Sequence, residues 1–106
     1  MNSSTRMDSL KAILAQDPRH GFARYGLAME YANTGDLDQA VLEFRTLLEH
    51  DPNYAAAYYH GGHTLEKLGR IDEARALYEQ GIHVTTRSGD AHTRAELQAA
   101  LDMLPI

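Results

Sequence analysis

The sequence contains no cysteine, which removes disulfides, thiolate zinc sites and cysteine nucleophiles together. It also lacks any apolar run near the roughly 18 residues that a membrane-spanning helix needs. The polar start Met1-Asn2-Ser3-Ser4-Thr5 has none of the apolar core of a secretory signal, so a cytoplasmic location is the default expectation. Basic residues are few and scattered, ten Lys and Arg against fifteen Asp and Glu, for a formal charge of −5. Without a basic run there is no footprint for a phosphate backbone, and neither nucleic acid nor a membrane is expected as a partner. No glycine-rich loop is placed to cradle phosphate. The scattered Ser, Thr and His residues do not assemble a nucleophile with a base and an orienting group. Enzyme activity is therefore not expected, and no cofactor is implied.

What is present is sized for one domain spanning residues 1–106, with 43% hydrophobic and 24% charged residues, an ordinary balance for a folded globular chain. Self-similarity organises it. Asp17-Pro18 recurs 34 residues on as Asp51-Pro52, and Gly35 recurs at the same step as Gly69. Ala28 matches Gly62, Tyr31 matches Leu65, Leu37 matches Ile71, Ala40 matches Ala74 and Phe44 matches Tyr78.

The chemistry of the matched positions fits paired antiparallel helices. Asp-Pro offers an N-cap acceptor followed by proline at the first helical position, and so reads as a helix start. Gly35 and Gly69 read as the reversals, because glycine enters the left-handed region without steric cost. Asp36 with Gln39 three residues on has the spacing of a capping box, whereas Arg70 leaves the equivalent start less well capped. Leu27, Tyr31, Leu37, Val41, Phe44 and Leu48 fall at steps of three and four, giving each helix one buried stripe. Ala28, Gly62, Ala40 and Ala74 mark close approaches of helix axes. Gly61, inside a helix, costs about 1 kcal/mol relative to alanine.

With these residues in view, the chain resembles the tetratricopeptide repeat (TPR) family, in the manner of small bacterial proteins built from such repeats alone. The resemblance rests on the 34-residue period, on Leu27-Ala28-x-x-Tyr31, Ala40-x-x-x-Phe44 and Pro52, and on the echo in Gly62, Leu65, Ala74 and Tyr78. It implies an all-α fold, a right-handed α-solenoid of antiparallel helix pairs with two full repeats at 21–54 and 55–88. Arg24 and Gly61 depart from the pattern, standing where the family usually has large apolar residues. Leu47 is larger than its usual counterpart, and Thr86 replaces an expected proline.

The flanks read as caps. Residues 4–16, with Leu10, Ile13 and Leu14, form an N-terminal capping helix. Residues 89–104, with Leu97, Leu101 and Leu104, form a C-terminal one, as the open ends of a repeat stack require. A strict 34-residue step turns Leu97 toward the groove, whereas two extra residues in the turn bury Leu97 and Leu101; burial favours the second arrangement. Arg94 is not placed by either.

The resemblance implies a concave groove lined by the first helix of each pair, where a protein or peptide binds. Carried over residue by residue, it nominates Phe22, Tyr25, Met29 and Asn33, then Tyr59, His60, His63, Glu66 and Lys67. Tyr25, Met29 and Tyr59 lie off the buried stripe, and the two tyrosines are natural anchors. Phe22, Tyr54 and Tyr58 read equally well as core. The carboxylate clamp of chaperone-binding members is not matched, since Tyr25, Met29 and His60 stand at three of its positions. His60, His63 and Glu66 share a helix face, which raises metal binding as a minor alternative. Histidine titration also suggests pH-dependent partner affinity. A self-associating structural or chaperone-like module, with a homodimer covering the groove, is the principal alternative to a peptide-binding adaptor or scaffold.

Overall fold

The computed structural model describes residues 3–106, with side chains from Thr5 onward; Met1 and Asn2 of the polar start lie outside the described residues. The described residues form six helices in succession: α1 (Ser3–Gln16), α2 (Gly21–Asn33), α3 (Leu37–His50), α4 (Ala55–Lys67), α5 (Ile71–Ser88) and α6 (Ala91–Asp102). Each packs on its chain neighbours, so the molecule is an all-α helical repeat measuring 38 × 29 × 21 Å.

The second contacts set the shape. Cα atoms of α2 and α4, and of α4 and α6, approach within 8 Å, whereas among the described residues those of α1, α3 and α5 do not approach one another. The even helices therefore form a tight inner layer and the odd helices a splayed outer one. The stack bends toward the inner layer, which makes that side concave.

The buried stripe is as the spacing predicts: Leu27, Val41 and Phe44 are buried, and Tyr31, Leu37 and Leu48 are half-buried. Ala28, Ala40, Ala74 and Leu65 have no exposed surface at all. Gly62 is the sharpest close approach, because a Cβ there would lie 2.1 Å from the Tyr78 ring. Gly61 is also a packing residue and not merely a helix weakness, since its Cβ would meet the tip of Leu77 at 2.9 Å. Gly35 and Gly69 turn the chain with φ of 87° and 77°, and Gly89 repeats the device at 77° after α5.

Helix capping departs from the sequence expectation. Asp17 and Asp51 do not start helices; each accepts the backbone N–H two residues on, from Arg19 and Asn53, and so shapes the turn around its proline. α2 is capped by His20, whose Nδ1 accepts the Ala23 N–H at 3.1 Å, and α4 starts after Tyr54. The Asp36 capping box does not form: Asp36 makes no side-chain cap bond, and Gln39 instead donates to Glu43 at 3.3 Å. Glu43 has a stronger claim on it, being buried opposite Arg24.

That pair explains the departure at Arg24. Its Nη1 meets Glu43 Oε1 at 2.6 Å and its Nη2 donates to the Pro18 carbonyl at 2.9 Å, so α2 and α3 are joined by a mostly buried charge pair where apolar packing was expected. Arg24 Nε is buried with no hydrogen bond.

At the ends, Met7, Leu10 and Leu14 of α1 pack over Ala23, Leu27 and Tyr31, while Ile13, expected on that face, is 43% exposed. With threonine where proline was expected, α5 runs on to Ser88, an 18-residue helix against 14 in α3. α6 begins 36 residues after α4, two beyond the repeat, and buries Leu97 completely with Leu101 half-buried. Asp90 caps it, accepting the Thr93 N–H at 3.1 Å.

Candidate functional site

α4 lies at the centre of the inner layer, and its more open face carries the half-buried side chains of Tyr59, His60, His63 and Glu66. Alanines at its start and the pair Gly61-Gly62 bury its other face against α5 and α3. The larger rings are thus left on the concave side. There they form a row. Tyr54 and Tyr25 lie 5.3 Å apart between centroids, Tyr25 and His60 5.9 Å, His60 and Tyr59 5.2 Å, Tyr59 and His63 4.5 Å. All fall within the roughly 4.5–7 Å of favourable ring contacts, mostly edge to face. Tyr25 also meets Phe44 edge-on at 6.3 Å, which anchors the row to the core.

The row continues through the inner layer. His63 sits 6.0 Å from the Tyr78 ring, which belongs to the outer helix α5 and reaches past Gly62. The Tyr78 hydroxyl donates to Glu66 Oε2, and His63 Nδ1 lies 3.6 Å from the same oxygen. Burial and then that bond to Glu66 push the Tyr78 hydroxyl far above the usual phenol range. Burial also raises Tyr25, with Tyr54 adding a smaller push. Burial lowers His60 below the ordinary imidazole value, His63 lowers it further, and Glu96 of α6 opposes both.

Beyond Tyr59 the concave side opens into a cavity of about 360 Å³ between α4 and α6. Tyr59, His63 and Glu66 form one wall; Glu96, Ala99, Ala100 and Met103 form the other. Arg94 does not belong to it. It lines a separate hollow on α6 with Ala91, Ala95 and Gln98.

The structure thus brings five of the nine nominated residues together: Tyr25, Tyr59, His60, His63 and Glu66. Met29 packs partly into the cluster of Ala28, Ala40 and Phe44. Phe22 is 71% exposed in the first turn of α2, while Asn33 and Lys67 are exposed at the last residues of α2 and α4. Of the residues that read equally well as core, Tyr58 is buried, its hydroxyl donating to the Pro52 carbonyl at 2.7 Å, and Tyr54 joins the row. Among the described residues no three or more His, Asp or Glu side chains converge as a metal site would require. The wall from α6 was not nominated, although the two-residue offset that burial of Leu97 favours is what turns Glu96, Ala99 and Ala100 inward.

The fold and this ring-lined hollow define a helical-repeat protein with one concave face carrying aromatic and acidic groups. Its family follows from comparison. A family model described as tetratricopeptide repeat matches residues 25–92, and the chain belongs to that family. A TPR repeat-containing protein of Pseudomonas aeruginosa is 28% identical over 92% of this chain and 93% of its own. The crystal structure of a tetratricopeptide repeat domain protein from Salinibacter ruber is 40% identical, covers 76% of this chain and 90% of its own, and superposes with a TM-score of 0.72. YrrB, described as a TPR protein with an unusual peptide-binding site, covers 95% of this chain and 49% of its own at 23% identity, with a TM-score of 0.82, and is similar in fold. Among the described residues no helix is long and apolar enough to cross a membrane. In general terms, the chain is a protein-interaction module.

Proposed function

We propose that the concave face binds a short peptide segment or the surface of a partner protein, and that the chain works by holding this partner, not by converting it. The observation that carries this reading is the unbroken row of rings from Tyr54 to His63, on the inner layer and leading into the cavity beside α6. Rings already held edge to face lose little further freedom when a partner covers them, so more of the contact energy appears as affinity. Tyr25 and Tyr59 are the expected anchors, His60 and His63 supply hydrogen-bonding edges, and Phe22, Asn33 and Lys67 extend the contact at the helix ends. That a protein of this fold has a described peptide-binding site, as YrrB does, is consistent with such a use.

The test is capture of partners with the native protein and with a Tyr25→Ala, Tyr59→Ala variant, after circular dichroism has shown both to be folded. Interactors should be lost from the variant. Recovery of the same set by both would remove the concave face from consideration. A size measurement on the native protein separates the adaptor, which is a monomer with an open face, from a tight dimer that buries Tyr25 and Tyr59.

A further inference from the structure

The cavity between α4 and α6 has a composition that selects among peptides. Its floor and sides are apolar or aromatic, from Tyr59, Ala99, Ala100 and Met103, but two carboxylates, Glu66 and Glu96, also line it. Among the described residues no Lys or Arg side chain does. Glu66 Oε2 takes the Tyr78 hydroxyl, yet among the described residues its Oε1 has no hydrogen bond. Glu96 lies 3.4 Å from His92 Nε2 on the exposed side of its own helix, and close enough to His60 to favour the charged form of that imidazole. The cavity therefore holds two carboxylates with no permanent cation to match them, the Tyr59 hydroxyl and the His63 imidazole being its other polar groups.

We propose that this cavity receives the side chain of a basic residue of the bound peptide, arginine in preference to lysine. This rests on the concave face being the peptide-binding face. An acidic side chain is repelled here. An apolar one fills the space but strips water from both carboxylates and gives nothing back, which is the costly way to bury charge. A basic side chain satisfies both demands, because its aliphatic stem lies along Ala99, Ala100 and Met103 while its head reaches the carboxylates. Arginine is favoured by its five donors, enough to serve two carboxylates, and by its planar head, which stacks on a tyrosine face. Met103, 84% exposed, is flexible and polarisable enough to close over the stem. At about 360 Å³ the cavity lies at the small end of the roughly 300–1,000 Å³ usual for ligand sites, which suits one side chain and not a larger compound. The chain's charge of −5 draws basic peptides toward it from a distance but does not choose the point of contact.

The experiment titrates ¹⁵N-labelled protein with five synthetic peptides on one alanine and leucine background. They carry arginine, lysine, citrulline, norleucine or glutamate at the centre. The arginine peptide should shift the amides of Tyr59, His63, Glu66, Glu96 and Met103, and bind roughly tenfold tighter than the citrulline and norleucine peptides. Glu66→Gln with Glu96→Gln should abolish that preference while leaving the fold intact, since glutamine still accepts from Tyr78. Glu49→Gln with Glu79→Gln, which removes the same charge from the outer layer, should leave the preference in place. Equal binding of norleucine and arginine at these residues overturns the inference but keeps the concave face as a binding surface. The same holds if the Glu49, Glu79 variant loses the preference as fully as the Glu66, Glu96 variant. If none of the five peptides shifts any residue of the concave face, both the inference and the broader reading fall.

Discussion

At the scale of single residues, two adjacent glycines that look alike in the sequence differ in what they permit. Gly62 faces the rigid Tyr78 ring at 2.1 Å from an added Cβ, whereas Gly61 faces the movable tip of Leu77 at 2.9 Å. Gly62→Ala should therefore destabilise the protein by about 1–3 kcal/mol through overpacking. Gly61→Ala should stay within about 1 kcal/mol of the native protein, because the gain in helix propensity offsets the crowding. Urea unfolding of the two variants measures the difference. His60 offers a second residue-scale test. Burial and its neighbour His63 disfavour its charged form in the folded state, so its imidazole should titrate below the ordinary value of 6.5 when followed by NMR. The unfolded chain therefore binds the proton more readily, and stability falls as the pH drops from neutral through the ordinary imidazole range. Glutamine at position 60 should flatten part of that decline.

Helices are the scale at which the sequence was most readable, and also where it misled. The 34-residue step placed the pairs, the turns at Gly35 and Gly69, and the buried stripe, because one period sets both the reversal and the face that is covered. It could not place the caps. The capping motifs around Asp17, Asp36 and Asp51 are chosen by local competition: Asp17 and Asp51 are taken up by their proline turns, and Gln39 by the buried Glu43. Nor did it show that Arg24 enters a mostly buried pair, since its partner lies on another helix at a distance no local pattern reports. The inward face of α6, and with it one cavity wall, depended on where α5 stops, four residues beyond the position equivalent to the end of α3. Glu43→Gln should cost somewhat less than the roughly 3–5 kcal/mol of breaking a fully buried pair, and replacing Arg24 and Glu43 together by leucine should cost less than Glu43→Gln alone. A double-mutant cycle in urea decides it. Asp90→Ala should destabilise the protein by uncapping α6, seen as a lower urea midpoint. In the native protein the Thr93 N–H holds the Asp90 carboxyl below its ordinary value of 3.8, so this contribution persists above the usual carboxylate range and is lost as the pH falls through the lowered value.

Over the whole molecule, stability should be graded by how many neighbours a helix has. Among the described residues α1 is held only by α2, through Met7, Leu10 and Leu14, whereas α4 is held by α2, α3, α5 and α6. Native-state hydrogen exchange should open α1 first and α4 last, as expected when each element is stabilised chiefly through its neighbours. Equal protection in both would mean that the stack unfolds only as one unit. The site is carried mainly on the best-held helix, which keeps the ring row in place while the ends fray. One consequence of the gap beside Gly62 reaches beyond this molecule. In the first helix pair Ala28 stands at the matching position and the side chain crossing it is Phe44; in the second, glycine is matched by tyrosine. Bulk on the front helix and length on the back one are therefore exchangeable quantities. Related chains should trade one for the other in step, and only those with the smaller residue in front should have a phenol from the rear layer in contact with a front-face acid.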